Sequence, residues 1–119
     1  MEGVAFLLKK NCDSIIAAGK NLTAIIATGG GAKSDIWCQM QADITRLPIL
    51  VPKEKEAACL GAAICAAVAS GGCASFEEAY EAGNCVEKRF IPVKNAVYER
   101  KYRQFCALYD AMVAAARMD

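Results

Sequence analysis

Apolar residues recur at helical spacing in the first part of the chain. Residues 2–18 carry one apolar face, made of Val4, Leu8, Cys12 and Ile15. Gly19 follows this face and predicts the end of the helix. Residues 22–27 are a continuous apolar run with β-branched side chains, which is typical of a strand buried in a parallel sheet. The chain therefore starts with a predicted helix and a predicted strand.

The same two patterns return after a run of glycines. Residues 35–46 predict a second helix, which Pro48 ends. Its apolar face consists of Trp37, Met40, Ile44 and Leu47. Residues 49–51 predict a short second strand, closed by Pro52. Alternating helices and strands indicate an α/β fold. Because two strands are too few for an independent parallel sheet, we expect the chain to be part of a larger fold.

The second half of the chain predicts further helices. Residues 55–69 are rich in alanine, which indicates a buried helix that approaches its neighbour closely. Ser75 and Glu78 stand at capping-box spacing and predict the start of a short helix. Residues 84–95 predict a loop, with a short strand near Phe90.

The last predicted helix, over residues 95–116, has the clearest amphipathic pattern. Its stripe consists of Tyr98, Tyr102, Phe105, Tyr109 and Met112. These positions share one helical face, and we expect that face to pack in the core or against another domain.

Composition excludes several classes of protein. Of the 119 residues, 55% are hydrophobic and 23% are charged, which argues against disorder. A net charge of +1 gives no field that would attract nucleic acid or an anionic membrane, so we expect neither as a partner. No apolar run reaches the roughly 18–20 residues that span a bilayer. Residues 1–4 lack the basic start of a secretory signal, and we therefore expect a cytoplasmic protein.

The cysteines do not form a recognisable metal or nucleophilic site. The sequence holds seven cysteines, no C-x-x-C pair and no histidine. A zinc site would need four thiolates without the usual spacing, and a Cys/His catalytic pair is excluded by composition. We interpret the cysteines as small apolar fillers in a reducing compartment.

A glycine-rich turn joins the first strand to the second helix. Its sequence, over residues 28–34, is Thr-Gly-Gly-Gly-Ala-Lys-Ser. Adjacent glycines are costly inside a helix or strand, which predicts a turn, and Ser34 can cap the helix that follows. The missing side chains leave the backbone accessible, and the helix N-terminus offers free N–H groups and a partial positive charge. The turn is therefore a candidate site for a phosphate or a nucleotide.

The general phosphate-binding motifs do not match this turn. In a Walker A loop, glycines would replace Ala27 and Ala32. In a Rossmann fingerprint, the third glycine would replace Ser34. On the turn alone, a purely structural role is the stronger interpretation.

The residues around the turn resemble the C-terminal domain of the FGGY carbohydrate kinases. The resemblance is carried by Gly29–Ser34, Trp37, Gln39, Ala42, Asp43, Pro48, Glu56 and Gly61–Ala63, preceded by Glu2–Phe6. It extends from Glu2 to about Tyr109. The glycine triplet is most similar to the xylulokinase branch, because the glycerol kinase branch usually has an acidic residue before two glycines.

The resemblance implies a fold and a set of binding residues. The implied fold is a partial ribonuclease-H-like domain of the actin/hexokinase type, helix-rich with few strands. Residues 1–119 would be the C-terminal part of the kinase's C-terminal, nucleotide-binding domain. The implied ATP contacts are first Gly30 and Ser34, and then Gly29, Gly31 and Ala32.

The resemblance also implies an activity. The complete enzyme would be an ATP- and Mg²⁺-dependent kinase that phosphorylates a hydroxyl of a small sugar. Xylulose is favoured, while ribulose, gluconate, glycerol and a signalling sugar stay open. The family's catalytic aspartate and upstream phosphate turns have no counterpart here, so the resemblance assigns no catalytic or metal residue to this chain. We expect no kinase activity from it alone, since phosphoryl transfer depends on positioning and charge stabilisation.

Partners and alternatives follow from the same reasoning. The implied partners are the sugar substrate and the missing N-terminal part of the kinase. The apolar surface left without that part favours self-association, so we expect that the chain can form a homodimer. Two other hypotheses stay open: a non-catalytic nucleotide-binding module, and a structural interaction domain in which the glycines are only a turn.

Overall fold

Five α-helices and a three-stranded sheet make up the part of the chain that the computed structural model describes, residues 1–54, 56–83 and 85–117. The helices are α1 (Glu2–Ala17), α2 (Asp35–Thr45), α3 (Ala57–Ala69), α4 (Phe76–Gly83) and α5 (Ala96–Ala116). The strands are β1 (Ile25–Ile26), β2 (Ile49–Pro52) and β3 (Val86–Phe90). The predicted alternation of helices and strands is confirmed over the first half of the chain. Residues 55 and 84, where we expected a helix and a loop to begin, lie outside the described residues.

The sheet has the order β1-β2-β3. β1 pairs in parallel with β2, and β3 pairs antiparallel with β2. The first strand is shorter than the predicted 22–27, and Pro52 belongs to the second strand rather than closing it. The strand expected near Phe90 is present and longer than expected. Its first four residues are exposed and three of them are charged, so its sequence lacks the apolar run that marks a buried strand.

One hydrophobic cluster lies between α2 and the sheet. It consists of Ala32, Cys38, Ala42, Ile49 and Val51, all almost fully buried. Ile25 of β1, Ala27 just after β1 and Phe90 at the end of β3 pack against it. The cluster therefore joins the glycine turn, α2 and the sheet into one packed unit.

A second cluster joins α1, α2 and α5. Ala5, Phe6 and Ile44 form its buried centre. The ring of Phe6 lies 5.6 Å from the ring of Phe105 and 6.0 Å from that of Tyr102, measured between centroids. The packing predicted for the aromatic stripe of α5 is thus confirmed near its start.

The predicted apolar faces are wrong in part at both outer helices. On α1, Val4 is 63% exposed and Ile15 is 44% exposed, whereas Ala5, Phe6 and Cys12 are buried. On α5, Met112 at the far end of the stripe is 71% exposed. On α1, α5 packs on the side that carries Phe6, whose ring meets those of Tyr102 and Phe105.

The third helix is not buried as its composition predicts. None of its residues is buried, and Leu60, Ile64, Ala67 and Val68 are only half-buried. α3 packs on α4, where a Cβ added to Gly83 would stand 3.0 Å from Cδ1 of Leu60. The filler role of the cysteines is likewise confirmed only for Cys12 and Cys38, while Cys59, Cys65 and Cys85 are exposed. None of the described helices is long and apolar enough to cross a membrane.

Candidate functional site

The glycine turn leaves the sheet at the carboxyl end of β1. The N–H of Ala27 donates to the Leu50 carbonyl of the neighbouring parallel strand, and the chain then turns away. Residues 30–33 form a single 3₁₀ turn, with the N–H of Ala32 donating to the Gly29 carbonyl over 3.2 Å. In α/β sheets, ligands bind beyond the carboxyl ends of parallel strands. The predicted turn is confirmed, and it lies at such an end.

The three glycines of the turn have different surroundings. Gly29 has a φ of +73°, which side-chain-bearing residues rarely adopt. A Cβ added to Gly30 would meet no heavy atom within 4 Å, and the φ of Gly30 is not in the left-handed region. A Cβ added to Gly31 would lie 3.3 Å from Nε1 of Trp37. Internal structure therefore accounts for the first and third glycines but not for Gly30.

Ser34 caps the second helix, as predicted. The N–H of Trp37 donates to its hydroxyl over 3.3 Å. The next residue, Asp35, accepts hydrogen bonds from the ammonium group of Lys88 at 2.8 and 3.1 Å. The same hydrogen bond raises the pKa of Lys88. Because Lys88 pairs with the carboxylate at this helix start, the repulsion that Asp35 would exert on a bound anion is reduced.

Ala32 is the one predicted contact residue that points into the core. It is 3% exposed and packs in the cluster between α2 and the sheet. Sγ of Cys38 lies 3.9 Å from the carbonyl oxygens of Gly31 and Ala32. Burial raises the pKa of the Cys38 thiol, so the thiol stays protonated and can donate to these carbonyls. Ala32 can therefore meet a ligand only through its backbone.

Two open clefts flank the turn, and both are lined by Gly31 and Trp37. The first, of about 390 Å³, is completed by Met1, Val4 and Ser34. The second, of about 300 Å³, runs along β1 to Thr28 and Ala32. A third cleft of about 200 Å³ lies where β1 and β2 end, between Thr28, Glu54 and the helices α3 and α4. The structure thus brings Gly31 and Ser34 to one cleft and Gly31 and Ala32 to another.

Other polar residues near the turn have structural contacts. Oδ1 of Asp43 accepts from Nε2 of Gln39 and from the N–H of Val93, both over 2.8 Å. Nε2 of Gln39 also donates to the Ile91 carbonyl over 2.9 Å, so this pair fastens the segment after β3 to α2. The N–H of Glu56 donates to the Glu54 carboxylate over 2.8 Å at the approach to α3. The described part of the chain holds no group of three or more His, Cys, Asp or Glu side chains that could bind a metal ion.

Sequence reasoning missed two residues that support the turn. Cys38 contacts its carbonyls, and Lys88 pairs with the first residue of α2. Neither has a local signal: Lys88 is 53 positions from its partner, and Cys38 looks like any small apolar residue on a helix. Only the paired β3 strand places Lys88 beside α2.

The sequence is similar to curated sugar kinases. The family model described as "FGGY family of carbohydrate kinases, C-terminal domain" matches residues 1–70. A xylulose kinase of Bacillus subtilis (strain 168) is 36% identical over 109 residues, which are 92% of this chain and 21% of that protein. A probable L-xylulose kinase of Haemophilus influenzae is 34% identical over 113 residues, which are 93% of this chain and 22% of that protein.

The structure is similar to solved kinases of the same kind. A ligand-bound xylulose kinase from Lactobacillus acidophilus matches with a TM-score of 0.82 and 29% identity, over 99% of this chain and 24% of that one. A Plasmodium falciparum glycerol kinase with ADP matches with a TM-score of 0.70 and 25% identity, over 96% of this chain and 22% of that one. The expected fold class, a helix-rich part of an actin/hexokinase-type domain, is confirmed.

The chain spans about a fifth of the length of the curated relatives it matches. The family model covers residues 1–70, from α1 through the turn to the end of α3, and so includes every residue predicted to contact nucleotide. With the sequence and structural similarities in agreement, the chain belongs to the FGGY family of carbohydrate kinases.

Proposed function

We propose that this chain is part of an ATP-dependent sugar kinase and supplies the turn at residues 29–34 that holds the nucleotide. One observation carries the proposal: Gly30 is exposed, and neither its φ nor any neighbouring atom requires a glycine there. A glycine at this position leaves the backbone open, so that a ligand can approach it closely. The site is also next to the capped N-terminus of α2, where anions bind favourably.

The roles of the turn residues follow from their surroundings. Gly30 admits the ligand to the backbone, Gly29 reverses the chain, and Ala32 fixes the turn to the core. The Ser34 hydroxyl accepts the N–H of Trp37 and keeps its own proton to donate to an acceptor on the ligand. ATP, when bound, supplies the γ-phosphoryl group that is transferred to the sugar. These residues hold and orient the nucleotide and carry out no proton transfer.

The rest of the proposed enzyme lies outside this chain. We propose that residues 1–119 form the C-terminal part of a nucleotide-binding domain and that the rest of the kinase supplies the catalytic base, the sugar contacts and the Mg²⁺ ligands. The unburied α3 supports this proposal, since it leaves an apolar helix free to pack on another surface. Xylulose is the proposed substrate, because relatives in sequence and structure are named xylulose kinases. Where the rest of the kinase does not cover α3, the proposed homodimer is one way to bury this helix.

Nucleotide binding tests the proposal directly. Trp37 is the only tryptophan of the sequence and lies beside the turn, so its emission can be followed during a titration with ADP and Mg²⁺. We expect a saturable change in the wild-type chain. Gly30→Val should leave the fold intact, because a Cβ at this position meets no heavy atom within 4 Å, but should weaken binding about tenfold or more by blocking the backbone.

The matched control adds a similar side chain far from the turn. Ala107 is exposed on α5, and Ala107→Val should bind ADP like the wild type. Saturable binding that Gly30→Val leaves unchanged would contradict the proposed site. If neither the wild type nor the two variants bind ADP at millimolar concentration, the result would favour the structural interaction domain.

A further inference from the structure

The first turn of α2 contacts the glycine turn through Trp37. Apart from the chain neighbours of Gly31, the only described atoms within 4 Å of a Cβ added there are Nε1 of Trp37 at 3.3 Å and its Cδ1 at 3.5 Å. The backbone N–H of the same tryptophan donates to the Ser34 hydroxyl over 3.3 Å. Trp37 thus contacts both ends of the segment from Gly31 to Ser34.

The indole itself is held by the core. Trp37 is half-buried and packs against the cluster of Ala5, Phe6 and Ile44 that joins α1, α2 and α5. A contact at 3.3 Å is tighter than most Cβ contacts in proteins, so a side chain at Gly31 would shift either the indole or the turn by a few tenths of an ångström. Because the indole packs against this cluster, we expect the turn to move.

We propose that Trp37 is a positioning residue of the nucleotide-binding turn, and that Gly31 is a glycine because the indole occupies the space of its side chain. The inference rests on the proposed function and divides the glycines by role. No contact within the chain requires a glycine at position 30, whereas a side chain at position 31 would meet the indole of Trp37. Cys38 supports the same segment from the core side through its contacts with the Gly31 and Ala32 carbonyls.

The effect on affinity follows from the population of the competent turn. Apparent affinity falls in proportion to the fraction of molecules whose binding conformation is populated. A displaced turn that is competent about a tenth of the time would bind about ten times more weakly. The effect of a side chain at Gly31 should therefore depend on whether Trp37 is present.

A double-mutant cycle tests this dependence by calorimetric titration with ADP and Mg²⁺. Gly31→Ala alone should weaken binding about tenfold. In a Trp37→Leu background, which replaces the indole with a shorter side chain, Gly31→Ala should change affinity by less than about twofold. An equal loss in both backgrounds would show that the nucleotide itself needs the third glycine, and would overturn the inference.

Phe105→Leu is the matched control for the loss of an aromatic side chain. Phe105 packs against the same cluster as Trp37 but has no contact with the turn in the described structure. Phe105→Leu should lower thermal stability as Trp37→Leu does and leave ADP affinity within about twofold of wild type. If both variants lose affinity equally, Trp37 acts only through stability, and the inference fails.

A readout without nucleotide separates this inference from the proposed function. The amide chemical shifts of residues 29–34 report the conformation of the turn in the free chain. Gly31→Ala should perturb them strongly with Trp37 present and weakly with Trp37→Leu, even if the wild-type chain binds no ADP. Equal perturbation in both backgrounds would overturn the positioning role, whereas absent ADP binding alone would count against the proposed function.

Discussion

Two helices of this chain, α2 and α3, differ in how their sequences relate to their surroundings. α2 has polar residues along its length and yet buries Cys38, Ala42, Ile44 and Thr45. α3 is apolar or small at every position and buries none of its residues. The difference shows that apolar composition does not decide burial. A helix is buried when another element of matching shape covers it, and α2 has the sheet on one side and α1 and α5 on another.

The largest expected effect contrasts an isoleucine in the cluster between α2 and the sheet with an isoleucine of α3. Ile49 is fully buried beneath α2, and Ile49→Ala should lower the free energy of unfolding by about 2–4 kcal/mol. Ile64 on α3 is only half-buried, and Ile64→Ala should cost less than about 1 kcal/mol, because little area is removed from contact. Urea denaturation of both variants measures the difference. Equal losses would mean that α3 is as well packed as α2.

The helix N-termini provide the next contrast. Ser34 caps α2 through its hydroxyl, whereas Glu56 precedes α3 without a side-chain capping bond. Ser34→Ala should therefore cost about 1 kcal/mol, and Glu56→Ala should change stability by less than about 0.5 kcal/mol. Thermal unfolding of the two variants gives the comparison. A larger loss at Glu56 would reverse our view of which helix is locally fixed.

The last contrast concerns a tyrosine that packs between α1 and α5. Burial and a 2.6 Å hydrogen bond to Asp13 raise the pKa of Tyr102. The folded chain keeps this phenol protonated, so its stabilising contribution is complete below the unfolded pKa of about 10 and is lost as the pH rises above that value. Tyr102→Phe should cost about 1 kcal/mol at pH 7 and reduce the alkaline loss of stability.

The control for that measurement lies in the α3–α4 region. Tyr80 on α4 is 42% exposed, and Tyr80→Phe should change stability at pH 7 by less than about 0.5 kcal/mol. Urea midpoints measured from pH 7 to 11 provide the test. If Tyr80→Phe reduced the alkaline loss as much as Tyr102→Phe, the hydrogen bond to Asp13 would not be its cause.

Local signals in the sequence predicted much of this fold. Ser34 and Pro48 predicted the two ends of α2. The Ser34 cap and the missing N–H of Pro48 act within a few residues of their own positions. The glycine turn was predictable for the same reason. The faces of α1 and α5 were predicted less well, because the contact between Phe6 and Phe105 depends on how two distant helices meet.

In the candidate site, too, local sequence predicted some features, while others depend on contacts between distant residues. The residues that form the turn are contiguous, and their composition made the turn a candidate for a phosphate or nucleotide site. The reason for each glycine was not visible in the sequence. Gly29 needs its φ, Gly31 meets an indole six positions later, and only Gly30 is left open. Local patterns identify the segment, and tertiary contacts assign its residues.

The clamp formed by Gln39 and Asp43 on the segment after β3 has a mechanical consequence. α2 is 11 residues long, or about 16 Å, with the glycine turn at its start and this clamp at residues 39 and 43. Because α2 is a rigid helix attached at both places, a rotation at the clamp is transmitted to the glycine turn. Force applied along α5, whose first residue follows the clamped segment, should therefore tilt α2 and change the opening of the turn without any direct contact between α5 and the turn.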